Sequence, residues 1–266
     1  MLSIKIEMKE EKTDKIIEEA NSVILEHIKK ERGDKDFIPL LERYFFLVKK
    51  AAYLGNAEGQ FMLGLLYQDE ERIKILQPNE KGTTYQKRAF YWFKKAYENG
   101  HLYATVHYAD CLSLGIGCKQ DIDLAIKLYN IAIEKGWPAH LNLATIYRDK
   151  QDFEQAFNLY NKAQEFDKAD SLRLALCYYY GVGTVEDKGK AKKIFQFISE
   201  RKIDIPYDID EANYYLGRIY LEGKIVKKSL KKARHYLELA DKDNDHRSAN
   251  ELLLVIGRNS CVKLKE

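Results

Sequence analysis

Apolar residues recur at i, i+3, i+4 and i+7 along most of the chain, the spacing of amphipathic helices. Two kinds of helix alternate. One is an Ala-x6-Ala segment filled with aromatic and aliphatic residues: AFYWFKKA (89–96), AIKLYNIA (125–132), AFNLYNKA (156–163) and ARHYLELA (233–240). AKKIFQFI (191–198) is a fifth, with Ile198 in the second alanine slot. Successive starts lie 36, 31, 35 and 42 residues apart. The other kind precedes it: a small residue, then Leu-Gly or Leu-Ala, then Tyr three residues on. GQFMLGLLY ends at Tyr67, AHLNLATIY at Tyr147 and ANYYLGRIY at Tyr220; ATVHYADCL (104–112) and DSLRLALCY (170–178) are looser copies. A period of this length marks stacked helix pairs, helix A then helix B, each burying its apolar face against its neighbours. FIPLLERYFFLVKKAAYLGN (37–56) reads as an earlier helix B, residues 13–32 as its helix A or a cap, and ANELLLVIG (249–257) as a last helix without a partner.

The A-to-B connections carry their own signals. Four residues before the first alanine of helix B stand Asp121, Asp152, Asp187 and Ser229, side chains that cap a helix N-terminus. LGIGCKQD (114–121) and YGVGTVED (180–187) share a Gly-x-Gly that stops helix A and turns the chain. Ile225 replaces the second glycine in LEGKIVKKS, so that position is expected to tolerate a side chain. A phosphate-binding reading of YYYGVGTVEDKGKAKKIF fails on spacing. Five residues, not four, separate Gly183 from Gly189, Ala191 stands where Ser or Thr would be needed, and a helix rather than a strand comes before. The third repeat, RDKQDFEQA, has no glycines in its connection. Two segments depart from the period: residues 68–86, charged and containing Pro78 and Gly82, and residues 199–210. Each is either a partner contact or a tolerated surface insertion.

Composition narrows the function. With 44 Lys plus Arg against 41 Asp plus Glu, the net charge of +3 lacks the basic excess of a nucleic-acid binder. The lysine cluster in KIVKKSLKKARH (224–235) reads as a solvated outer helix face. No apolar run reaches transmembrane length and the N-terminus has no signal-peptide core, so no membrane insertion and a cytoplasmic location are expected. Four cysteines (Cys111, Cys118, Cys177, Cys261) form no CxxC pair, and six histidines form no HxH or HExxH pattern. No metal, cofactor, small-molecule substrate or catalytic set is indicated, and the chain is read as a non-enzyme. Its Lys-, Ile- and Asn-rich composition suits an AT-rich bacterial genome.

LGLLY, LATIY, LGRIY, GVGTVEDKGKAKKIF and WFKKAYENG together resemble the Sel1-like repeat, a branch of the tetratricopeptide-type superfamily. Residues 104–136, 170–198 and 212–244 match its layout with modest departures, and 139–167 looks closer to a plain tetratricopeptide repeat. The resemblance implies an all-α fold, a right-handed α–α superhelix (solenoid) of about five to six helix pairs. It divides the chain into an N-terminal helix or cap (1–36), the solenoid (37–257) and a C-terminal tail (258–266). It further implies a non-catalytic scaffold that binds another protein or peptide in a groove lined by the A helices. The register rule is two residues before the recurring Leu, one after the Gly or Ala, and one after the Tyr. It yields Asp110, Thr145, Arg148, Tyr179, Tyr214 and Arg218 as groove candidates, with Phe61, Leu141 and Leu172 equally suited to inter-helix packing. Tyr179 is the residue of the glycine-loop stretch expected to face the groove. A bacterial immunity protein that neutralises a cognate toxin is the alternative reading, with an enzyme regulator behind it.

Overall fold

The computed structural model of the chain describes residues 2–31, 33–79, 82–167, 171–201 and 206–263, and all regular structure among them is helical. The chain divides into two compact units, Met1–Asn142 and Leu143–Glu266.

In the first unit, α1 (Leu2–His27) packs on α2 (Phe37–Tyr53), and α2 on α3 (Ala57–Gln68). A short helix, α4 (Glu70–Leu76), separates α3 from its partner α5 (Gly82–Glu98). α5 then packs on α6 (Leu102–Leu114), and α6 on α7 (Ile122–Glu134). The second unit begins inside α8 (His140–Asp149) and continues through α9 (Phe153–Asp167), α10 (Ser171–Tyr180), α11 (Lys188–Ser199), α12 (Pro206–Glu222), α13 (Leu230–Ala240) and α14 (Arg247–Lys263). From α9 onward each helix packs on the next, and the two A helices α10 and α12 also touch. This succession of neighbours is the α-solenoid arrangement.

Small residues set the close approach of A to B. Both alanine slots of every helix B are buried, including Ile198. On the A side, a Cβ on Gly64 would stand 2.6 Å from the Phe93 ring, and one on Gly217 would stand 2.7 Å from Leu237. Larger side chains fill the space between: in the second unit Leu172, Tyr179, Phe195, Ile198, Leu216 and Ile219 form one buried cluster. Burial of a side chain of this size contributes about 1.5–3 kcal/mol.

All four expected caps form. Asp121, Asp152, Asp187 and Ser229 accept the amide hydrogens of Leu124, Gln155, Lys190 and Lys232 at 3.0, 3.2, 2.9 and 3.3 Å. The second glycine of each Gly-x-Gly is more constrained than Ile225 implied. At Gly183, φ is +70° and an added Cβ would lie 2.0 Å from the Phe153 carbonyl oxygen. Gly117 likewise abuts the Gln86 carbonyl at 2.2 Å. The first turn of the preceding helix B occupies the space, so a side chain is excluded there. In the glycine-free third repeat, Gln151 takes the left-handed conformation itself (φ 62°).

The first insertion is partly ordered into the core. Ile73 of α4 is fully buried, the Tyr85 hydroxyl donates to the Gln77 carbonyl, and Arg88 donates to the Gln77 side chain at 3.0 Å. Residues 206–210 of the second insertion lengthen α12, while 202–205 lie outside the described residues. The last helix continues to Lys263, through most of the segment expected as a tail. Among the described residues no helix is long and apolar enough to cross a membrane.

Candidate partner-binding face

The A helices of the second unit carry an aromatic and cationic cluster at the C-terminal ends of α10 and α12. Arg218 lies over three tyrosine rings, with its guanidinium 5.5, 5.7 and 5.6 Å from the centroids of Tyr179, Tyr214 and Tyr215. Its Nη1 donates to the Tyr180 hydroxyl at 3.1 Å, and Tyr180 and Tyr215 share a hydrogen bond of the same length. Beneath, Glu222 accepts from the Tyr179 hydroxyl at 2.8 Å and from Lys188 Nζ at 3.0 Å. Burial alone would raise the Glu222 carboxyl. The hydrogen bonds from Lys188 and Tyr179, with the Arg218 charge, outweigh it and hold the group below the usual carboxylate range. Burial and this carboxylate acceptor push the Tyr179 hydroxyl up, so it remains a donor.

This geometry corrects the placement of Tyr179. Its ring is only 1% exposed and belongs to the core between α10, α11 and α12, while the neighbouring Tyr180 is 50% exposed. Arg148 is exposed on α8, Thr145 is half-buried one turn earlier, and Arg218 is half-buried. Tyr214 is half-buried against α14, its ring centroid 4.9 Å from that of His246. In the first unit, Asp110 accepts from the Tyr129 hydroxyl at 2.5 Å and from Asn142 Nδ2 at 2.8 Å, a node tying helices together. Phe61 is buried against Phe93, His101, Tyr103 and His107, Leu172 is in the core, and Leu141 is half-buried.

A hollow of about 360 Å³ opens in the second unit between α8, α9 and α10. Phe153, Ala156, Leu176, Cys177 and Val182 make it apolar, and Arg148, Arg173, Tyr160 and Tyr180 add polar groups. The register rule found Arg148 here and missed Tyr160, Tyr180 and Phe153. Tyr160 and Phe153 lie on a helix B, which the rule did not sample. The run of three tyrosines at 178–180 was the available signal for Tyr180, since a helix cannot bury three consecutive residues on one side.

Burial pushes the Cys111 thiol up to about 12 and the Cys177 thiol up to about 11, so neither is a ready nucleophile. No group of three or more metal-ligating side chains occurs among the described residues.

Successive capped helix pairs, with small residues buried where helix A meets helix B, define an α-solenoid repeat protein. Residues 57–101, 102–137, 137–163, 171–201 and 210–240 each match the Sel1 repeat, and the chain belongs to that family. Among solved structures it is similar to a Sel1 repeat protein from Oxalobacter formigenes. That match has 22% identity over 88% of this chain and 86% of the other, with a TM-score of 0.63. It is also similar to c5321, a protective antigen of uropathogenic Escherichia coli strains with the same repeat fold. There the identity is 18% over 91% of this chain and 58% of the other, with a TM-score of 0.55. At these identities the likeness is one of fold.

Proposed function

We propose that the protein is a non-catalytic scaffold that binds another protein or peptide through the A-helix face of its second unit, with Arg148, Tyr180 and Arg218 as principal contacts. The observation that carries this reading is the state of Tyr180. A large, half-exposed aromatic ring is held in one orientation by Arg218 and Tyr215, beside an apolar hollow. Interface hot spots are enriched in Tyr and Arg placed in this way, because a pre-ordered ring loses little entropy on binding. Family membership supports the general role, since Sel1 repeats build interaction scaffolds. Affinity capture from the cells that make the protein tests it. A Tyr180→Ala, Arg218→Glu double variant with unchanged helical content is expected to lose the proteins that wild type enriches. Identical enrichment by both would remove this face from consideration.

A further inference from the structure

The hollow contains a polar group whose proton meets no acceptor. Tyr160 is 3% exposed, and its buried hydroxyl has no hydrogen-bond partner. Buried hydroxyls are ordinarily satisfied, because one left unpaired loses its hydration without recompense. The charges of Arg148, Arg173 and Asp149 and the thiol of Cys177 act on that hydroxyl, and all of these but Asp149 line the hollow. Burial keeps the phenol protonated, and therefore a donor.

The lining has a definite charge pattern. Two guanidinium groups and no carboxylate line the hollow among its described residues. Asp149 accepts from Nε and Nη2 of Arg148 at 3.0 and 2.8 Å, and the rest of the guanidinium faces the Tyr160 hydroxyl. The remaining wall is apolar: Phe153, Ala156, Leu176, Cys177 and Val182, with the Tyr180 ring beside them. Such a site favours an apolar group with a carboxylate attached at short range. The volume of about 360 Å³ lies near the low end of the ~300–1,000 Å³ range of ligand pockets, and suits one residue rather than a large cofactor. In a polypeptide, an apolar side chain and a carboxylate share one residue only at the C-terminus.

We propose that this hollow captures the C-terminal residue of a partner polypeptide, an apolar residue such as Leu or Phe with its free carboxylate. The side chain fills the space between Phe153, Leu176 and Val182. The carboxylate accepts from the Tyr160 hydroxyl and from Arg148 Nη1. This rests on the scaffold reading above and specifies what part of a partner that face holds.

The test uses the full chain and fluorescein-labelled hexapeptides in anisotropy titrations. One ends in Leu with a free carboxylate, one is its C-terminal amide, one ends in Gly as the free acid, and one carries an internal Leu-Glu pair and an amidated end. The Leu acid is expected to bind at least about tenfold more tightly than the other three, as loss of a charge-assisted hydrogen bond implies. Tyr160→Phe and Arg148→Gln should each erase most of that preference. Tyr160→Phe should leave the melting temperature nearly unchanged, because its hydroxyl donates to no acceptor within the protein. Equal binding of acid and amide, absence of binding by the Leu acid, or a preference untouched by both variants would overturn the inference. Tighter binding of the internal Leu-Glu peptide would also overturn it. Should the peptides fail while cellular capture still depends on Tyr180 and Arg218, the hollow is excluded and the scaffold reading stands.

Discussion

Tyr179 and Tyr180 are adjacent in sequence and opposite in role. Tyr179 ties the ends of α10 and α12 together through Glu222, while Tyr180 offers its ring to solvent. Glu222 is the more vulnerable residue, because it also answers Lys188, whose side chain is largely buried. Removing one partner of such a group costs more than removing an exposed ring. Glu222→Ala is therefore expected to lower unfolding free energy by about 2–3 kcal/mol in urea titrations. Tyr180→Ala should cost about 1 kcal/mol or less, the range of ordinary surface changes. A reversed order would show that the cluster is held together otherwise. Sequence register assigned Arg148, Tyr214 and Arg218 to A helices, which are α8 and α12, but could not decide which of Tyr179 and Tyr180 is buried. Successive helical residues are about 100° apart, and only the position of α12 determines which of the two is covered.

The helix pairs were legible because each one solves the same local problem. Alanine slots, N-cap side chains and chain-turning glycines all recur, and each is a backbone or close-packing requirement visible without tertiary information. The limit was the second glycine of the loop. Ile225 in the fifth repeat implied tolerance, yet Gly183 faces the Phe153 carbonyl of the preceding helix B, a neighbour that no local pattern reveals. Gly183→Ala adds a backbone clash to an unfavourable positive φ. It is expected to destabilise by about 1–3 kcal/mol, whereas Ile225→Ala should change stability by less than about 1 kcal/mol. Thermal melts of the two variants check this, and equal effects would contradict the packing described. A second regularity escaped the sequence reading. His101 and His246 each accept a backbone amide at the start of α6 and α14 through Nδ1, while Nε2 meets Glu58 or Glu211 of the preceding A helix. Neither histidine matches the Asp/Ser cap pattern, so the shared geometry appears only once the A helices are stacked.

Nearest-neighbour stacking makes stability a sum over many such contacts, and their titration gives it a direction with pH. Burial lowers the basicity of His27 and His107, so the unfolded chain binds protons there more readily than the folded one. Stability from these two is complete above their ordinary value near 6.5 and declines as pH falls below it. Glu58, held down chiefly by its hydrogen bond with His101, and Glu222 act in a lower window. Their contribution is present above the ordinary carboxylate value of about 4.3 and is lost as pH falls through their depressed folded values. Melting temperature should therefore fall in two stages between pH 7 and pH 3, and His107→Phe should reduce the first. A melting temperature that rose on acidification would refute these assignments.

Site-specific photocrosslinking asks whether the A-helix face of the second unit is the one that meets a partner. Tyr180 on helix A and Phe197 on helix B are both exposed aromatic residues of that unit. Each is replaced in turn by p-benzoylphenylalanine in the full chain and irradiated in the cells that make it. A discrete crosslinked product is expected from position 180 and none from position 197. Crosslinking from position 197 with none from position 180 would contradict that expectation.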